Sequence, residues 1–171
     1  HIHMALDGGY WKDALARHKD APDEAFIRFE EREQGTYPAV SVDHLPLQCM
    51  HCEDAPCVSV CPTGASHIGP DGIVTVDHGK CIGCLYCMAA CPYQVRNRNE
   101  KTGAVDKCRF CNVSNYTSGT EMCSCVTACP TGARIFGDLD DPDCELVKEI
   151  AATHAAPIAG DLTKSKVYYV R

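Results

Sequence analysis

No stretch of this chain reads as a membrane span. The best apolar candidate, Ile150 to Gly160, is broken by His154 and Pro157, well short of the roughly 18 apolar residues a spanning helix needs. Basic charge is also scarce. Sixteen Lys and Arg face 23 Asp and Glu, a net charge of −7, which removes the electrostatic case for nucleic acid and for an anionic membrane surface. There is no Gly-rich dinucleotide fingerprint and no phosphate loop. The isolated histidines and carboxylates form no nucleophile or acid–base motif, so the chain is expected to have no catalytic site of its own. The first residues carry neither a basic segment followed by an apolar one nor a twin arginine, which predicts a cytoplasmic protein unless a signal on a partner subunit exports a complex.

What the chain has in excess is cysteine, 14 in 171 residues, about 8% and near the level that marks a special scaffold. The scaffold is either disulfide or metal, and spacing decides between them. The first group is Cys49-x2-Cys52-x4-Cys57-x3-Cys61-Pro62. The second is Cys81-x2-Cys84-x2-Cys87-x3-Cys91-Pro92. The third has Cys108-x2-Cys111, a gap, then Cys123, Cys125 and Cys129-Pro130.

The second group matches the bacterial ferredoxin run, in which the fourth cysteine ligates the other cluster of a pair. Three closely spaced thiolates wrap one face of an iron–sulfur cubane. Gly83 lets the loop curl so that backbone N–H groups point at sulfur. The fourth cysteine lies on a helical turn leading away, and Pro92, lacking an N–H, redirects the chain after it. One [4Fe–4S] cluster would then take Cys49, Cys52, Cys57 and Cys91, and its neighbour Cys81, Cys84, Cys87 and Cys61. This crossed ligation would weld residues 49–92 into one unit. Zinc sites favour two well-separated pairs, and a disulfide framework suits a small secreted chain; neither fits these eight residues.

The chain repeats itself. Residues 61–69 (CPTGASHIG) resemble residues 129–137 (CPTGARIFG), a turn-then-strand unit used twice. After the first copy, Pro70, Asp71 and Gly72 predict a turn and Ile73 to Val76 a strand. Asp141-Pro142 reads as an N-cap with proline at N1, opening a helix from about Asp143 to His154. Val167 to Val170 reads as a strand. The charge-rich residues 23–33 read as a solvated face.

The order of the groups, the run Gln48–Cys57 (QCMHCEDAPC) and the run Phe136–Pro142 (FGDLDDP) resemble the iron–sulfur subunits of molybdenum and tungsten oxidoreductases, the small electron-transfer subunits of the dimethylsulfoxide, polysulfide and nitrate reductase type. The resemblance covers nearly the whole chain. It implies ferredoxin-like modules in tandem and, in the family's usual form, four cysteine groups holding four [4Fe–4S] clusters. This sequence departs at its first group, where Asp7, Tyr10, Asp13 and Arg17 stand in the frame of the four cysteines, with Gly9 at the usual glycine. The terminal cluster should be lost, and the last group's cluster should lose its distant fourth ligand.

The last group carries its own compensation. The family form, Cys-x2-Cys-x11-Cys-x3-Cys-Pro, is met at once by the x11 spacing of Cys111 to Cys123 and the x3 spacing of Cys125 to Cys129. Cys108, Cys111, Cys123, Cys125 and Cys129 thus offer five candidates for four positions. The reading is a third [4Fe–4S] cluster bound locally, with Cys129 left over because its family role serves the lost cluster. A [3Fe–4S] cluster, His18 in place of the missing thiolate, or zinc are the other arrangements this region admits. Cys144 reads as a buried thiol. Arg96, Arg98, Lys101, Lys107 and Arg109 read as cations offsetting cluster charge. Tyr86, Tyr93, Phe110 and Tyr116 read as a dry shell around the clusters. His51 reads as a neighbour of a cluster and not an iron ligand.

The expected fold is α+β, an intact two-cluster ferredoxin-like module at 43–100 packed on a degenerate one-cluster module from 1–42 and 101–171. The expected function is one-electron relay through three [4Fe–4S] clusters. The resemblance implies a large molybdopterin- or tungstopterin-containing catalytic subunit as partner and a further redox protein as donor or acceptor, while the lack of a long apolar run predicts no membrane insertion. Because the terminal cluster is missing, a tungsten-dependent class II benzoyl-CoA reductase is one host that analogy suggests. A free polyferredoxin serving several enzymes and a partly zinc-bound scaffold are the competing readings.

Overall fold

A computed structural model describes residues 26–111 and 123–170. The degenerate first group (Asp7, Tyr10, Asp13, Arg17), His18 and Tyr116 lie outside the described residues. The chain divides between Cys108 and Arg109 into two compact units. The first unit therefore extends the expected 43–100 module at both ends. Upstream it gains a hairpin of β1 (Arg28–Thr36) and β2 (Ala39–Leu47), antiparallel from Arg28 opposite Leu47 to Thr36 opposite Ala39, with a cis peptide at Tyr37-Pro38. Leu47 is part of the core, and Arg28 donates to the Tyr93 carbonyl at 3.1 Å, which anchors the base of the hairpin. The charged run Glu30 to Glu33 lies along β1, largely exposed. Alternation is weak on both strands, and this hides the hairpin from a period-2 reading.

Two smaller hairpins follow. β3 (Ser66–Ile68) pairs with β4 (Val74–Val76) across the turn at Pro70 to Gly72, as the sequence predicts. β5 (Asn97–Arg98) pairs with β6 (Val105–Asp106). Asn99 organises the turn between them, accepting from the N–H groups of Lys101 and Thr102 at 2.9 and 3.1 Å. Its amide donates to Asp106 at 2.9 Å, whose other oxygen meets His78 at 2.9 Å. That pairing carries residues 101–108 into the first unit. The apolar core is small, with Leu47, Met50, Ala65, Val74, Tyr93, Val95, Ala104 and Val105 buried around the cysteine loops.

In the second unit Phe110 and Phe136 meet edge to face, 5.3 Å between centroids. The helix there is Glu145–Thr153, later than expected, and its N-cap residue is Cys144 and not Asp141. Asp141 spends its side chain on a local turn instead, accepting the Asp143 N–H at 2.9 Å, while its carbonyl accepts the Cys144 N–H at 3.1 Å. Cys144 is half-buried and not fully buried, and its Sγ occupies the space a Cβ on Gly137 would take. The second copy of the internal repeat keeps the turn but forms no strand. The first copy's strand pairs with β4 just downstream, whereas residues after Gly137 run into the Asp141 turn and offer no partner. Residues 167–170 reduce to one bridge, Tyr169 with Ala156. Among the described residues no helix is long and apolar enough to cross a membrane.

Gly83 has φ +67°, and an added Cβ would lie 2.7 Å from the Gly103 carbonyl oxygen in the β5–β6 turn. Gly64, with φ +65°, has nothing within 4 Å of the same point. A left-handed non-glycine residue costs about 1–2 kcal/mol. Gly64→Ala is expected to destabilise the loaded protein by about that amount and Gly83→Ala by more, read as the larger fall in thermal midpoint. Equal falls would mean the Gly103 contact is immaterial.

Candidate metal centres

Each cysteine group is built from one local unit, used three times. It begins with a Cys-x2-Cys loop whose residue before the second cysteine is left-handed: His51 at φ +46°, Gly83 at +67° and Phe110 at +52°. Only Gly83 adopts this cheaply. His51 and Phe110 hold a strained conformation of the kind that persists where the surroundings over-determine it. Next comes one turn of helix: α1 (Pro56–Ser59), α2 (Tyr86–Ala89) and α3 (Ser124–Thr127). In each the second residue is a cysteine, Cys57, Cys87 or Cys125. Each turn closes on a Cys-Pro pair, with the Cys61, Cys91 and Cys129 N–H donating to the carbonyls of Val58, Met88 and Val126 at 3.1, 3.3 and 3.1 Å. Three residues on, Gly64, Gln94 and Gly132 are left-handed, and their N–H groups return to those cysteines' carbonyls at 3.4, 3.2 and 3.3 Å.

This equivalence makes sense of the five candidates in the last group. Cys108 and Cys111 stand where Cys49 and Cys52, or Cys81 and Cys84, stand. Cys125 stands where Cys57 and Cys87 stand, and Cys129 where Cys61 and Cys91 stand. Cys123 is the additional thiol, at the position of Ala55 and Leu85 before the helical turn; like theirs, its carbonyl accepts the N–H three residues on, here at 2.8 Å.

The sulfurs gather across groups. One small hollow is lined by Cys61 together with Cys81, Cys84 and Cys87, beside Val76, Leu85 and Val105. The Cys61 sulfur accepts the Ser66 N–H at 3.3 Å and lies 3.7 Å from the Thr63 hydroxyl. Burial works against the thiolate there, and these bonds outweigh it to lower its pKa. Cys49 and Cys91 both lie close enough to Cys57 to repel it as an anion. Burial pushes up the Cys57 thiol, and it does the same to Cys87. His51 is fully buried; its Nδ1 accepts the Val74 N–H at 3.2 Å, which fixes its ring against β4. In the second unit Cys123 is buried, its thiol 3.0 Å from the Phe110 carbonyl. The neighbouring Cys123 thiol is the chief cause that takes Cys111 down to about 5 and Cys125 to about 6, with Arg134 adding to the latter. The Ser124 N–H also reaches the Cys111 sulfur at 3.3 Å. Cys129 has a separate cradle like that of Cys61, with Thr131 Oγ1 at 3.5 Å and N–H groups from Ala133 and Arg134.

Two of the five cations between the groups are buried. Arg96 donates through Nη2 to Cys57 Sγ at 2.8 Å and to Ser66 Oγ at 3.1 Å. Lys107 donates to the carbonyls of Val74 and Cys108. Arg98 and Lys101 are exposed and Arg109 is half-buried, so only two of the five are enclosed among the thiols. Of the expected dry shell, Tyr93 is buried but Tyr86 is 62% exposed, because α2 turns its first side chain outward.

The donor set fits iron–sulfur clusters. Thiolates are held by backbone N–H groups in curled loops. In addition, Arg96 Nη1 is buried with no hydrogen-bond acceptor among the described residues. Among the described residues no three His, Cys, Asp or Glu side chains converge as they would on a single ion.

Curled thiolate loops in pairs define a ferredoxin-like iron–sulfur protein. Residues 40–139 match the family described as 4Fe-4S dicluster domain. The protein is similar to a polysulfide reductase polypeptide of Wolinella succinogenes, 48% identical over 132 residues that cover 77% of this sequence and 69% of that one. It is similar to a protein of Halobacterium salinarum named as a dimethyl sulfoxide reductase iron-sulfur subunit, 36% identical over 181 residues covering 95% and 68%. A sulfite dehydrogenase subunit of Allochromatium vinosum is 46% identical over 126 residues, 71% and 52%. The matches thus span from about half to about two thirds of these relatives' own length. This protein belongs to the family of iron–sulfur electron-transfer subunits of the dimethylsulfoxide and polysulfide reductase small-subunit type.

Proposed function

We propose that this chain relays single electrons through three [4Fe–4S] clusters to or from a molybdopterin- or tungstopterin-containing catalytic subunit, with a second redox protein at the other end of the path. The threefold repetition of loop, helical turn and Cys-Pro turn carries this reading. One cluster takes Cys49, Cys52, Cys57 and Cys91. The next takes Cys81, Cys84, Cys87 and Cys61. The third takes Cys108, Cys111, Cys125 and, in the role otherwise played by a cysteine from another group, Cys123. Cys129 is left outside it, which suits its separate cradle and the absence of cysteine at Asp7, Tyr10, Asp13 and Arg17. The clusters supply the electron chemistry. The polypeptide supplies thiolates, hydrogen bonds, buried cations and a small dry core, the means by which a protein sets cluster potential.

The relatives named above are subunits of enzymes named for sulfur compounds, and thiosulfate reductase electron transfer subunit PhsB of Salmonella typhi is another at 45% identity. Such pairing supports a dedicated catalytic partner over a free shuttle. A class II benzoyl-CoA reductase is a host that a shortened wire would suit. Anaerobic purification of the native protein tests the partnership. The expected result is copurification with a pterin-containing subunit whose substrate bleaches or recolours the clusters. A free chain that exchanges electrons equally with unrelated redox enzymes would favour the shuttle.

A further inference from the structure

Arg96 stands at a point where the two cluster sites of the first unit meet. It follows the second group's Cys-Pro turn by only a few residues, yet its Nη2 hydrogen-bonds a sulfur of the first group, Cys57, at 2.8 Å. The Cys87 sulfur, in the second group, lies near enough for the guanidinium to favour its thiolate. It is 3% exposed. Ser66, the first residue of β3, takes a further bond from Nη2 at 3.1 Å, and its own N–H is committed to Cys61, a ligand of the second group's cluster. The guanidinium is therefore fixed from both sides by groups tied to different clusters, with Nη1 still free to donate among the described residues. Burial works against its charge, and the sulfurs of Cys57, Cys49 and Cys87 more than offset that. A lysine would place a single point charge here. The planar fork of arginine can serve two acceptors in fixed directions at once.

We propose that Arg96 is a single cation shared by both clusters of the first unit, and that it holds up the reduction potentials of the two together. The inference rests on the cluster assignment above. Reduction adds one electron to a cluster and no atom, so the anionic charge beside Arg96 grows by one and the guanidinium stabilises the reduced form more than the oxidised one. Hydrogen bonds from a charged donor are among the stronger ones. Loss of this one should cost each cluster about tenfold in its reduced-to-oxidised ratio, ~59 mV for one electron.

The test is potentiometric titration followed by electron paramagnetic resonance on the loaded wild-type protein, Arg96→Gln and Arg96→Lys, with iron and sulfide counted in each. Arg96→Gln is expected to lower two midpoints by about tenfold in ratio and leave the third in place. Arg96→Lys should restore one midpoint and not both. Full loading with one midpoint or none displaced in Arg96→Gln overturns the shared role. If Arg96→Gln does not load, Arg96→Lys decides: one midpoint lowered supports the proposal, and both at wild-type values overturns it. A wild-type chain without iron and sulfide would instead overturn the cluster assignment itself.

Discussion

Cys49→Ala combined with Cys91→Ala is expected to leave two intact [4Fe–4S] clusters, whereas Cys81→Ala combined with Cys91→Ala should leave one. The reason is the crossed ligation proposed above. Cys91 lies at the end of the second group in sequence but near Cys57 of the first group in space. Cys61 ends the first group yet lines a hollow with Cys81, Cys84 and Cys87. Two lesions in one cluster destroy that cluster alone. One lesion in each of two clusters damages both. If each group held its own cluster, the two double variants would exchange results. Counting clusters by spin quantitation after dithionite reduction distinguishes the cases.

Lys107→Met should be the most destabilising change away from the cysteines. The Lys107 side chain is 1% exposed. Its ammonium donates to Val74, at the start of β4, and to Cys108, at 2.9 Å for the latter. Burial lowers its pKa, while the sulfurs of Cys49, Cys108 and Cys57 act in the opposite sense and favour its charge. Methionine fills the volume but withdraws the cation from beside anionic clusters and leaves two carbonyls short of a donor. Removing one partner of a buried ionic arrangement costs about 3–5 kcal/mol, a fall in thermal midpoint on the order of 10 °C for a chain of this size. Lys101→Met, in an exposed turn between the same groups, is the control and should change little. Equal midpoints for the two variants would show that Lys107 is not the counter-charge the geometry makes it.

The repeated loop and helical turn of the first two cysteine groups were foreshadowed by the fixed intervals between their cysteines, and intervals are what a sequence displays. The curl of the loops was legible at Gly83 alone. His51 and Phe110 adopt the same left-handed backbone without a residue that advertises it, because the loop around them imposes the conformation. The β3–β4 hairpin was readable from its turn, Pro70 to Gly72. The long β1–β2 hairpin was not, since charge on both faces erases the alternation that marks a half-buried strand. Asp141-Pro142 had the chemistry of a helix cap, but its carboxylate closes a turn two residues on and delays the helix to Glu145. Five cations near the clusters looked equivalent in sequence. Only the fold distinguishes Arg96 and Lys107, which it encloses, from Arg98 and Lys101, which it leaves in solvent.

Iron and acid-labile sulfide per chain, measured anaerobically on native protein, test the central claim most directly. The account predicts about twelve of each, three [4Fe–4S] clusters with the last held by Cys108, Cys111, Cys123 and Cys125. About eight of each would confine the redox centres to residues 49–92 and contradict the third cluster. About sixteen would contradict the reading of Asp7, Tyr10, Asp13 and Arg17 as a group that no longer binds iron.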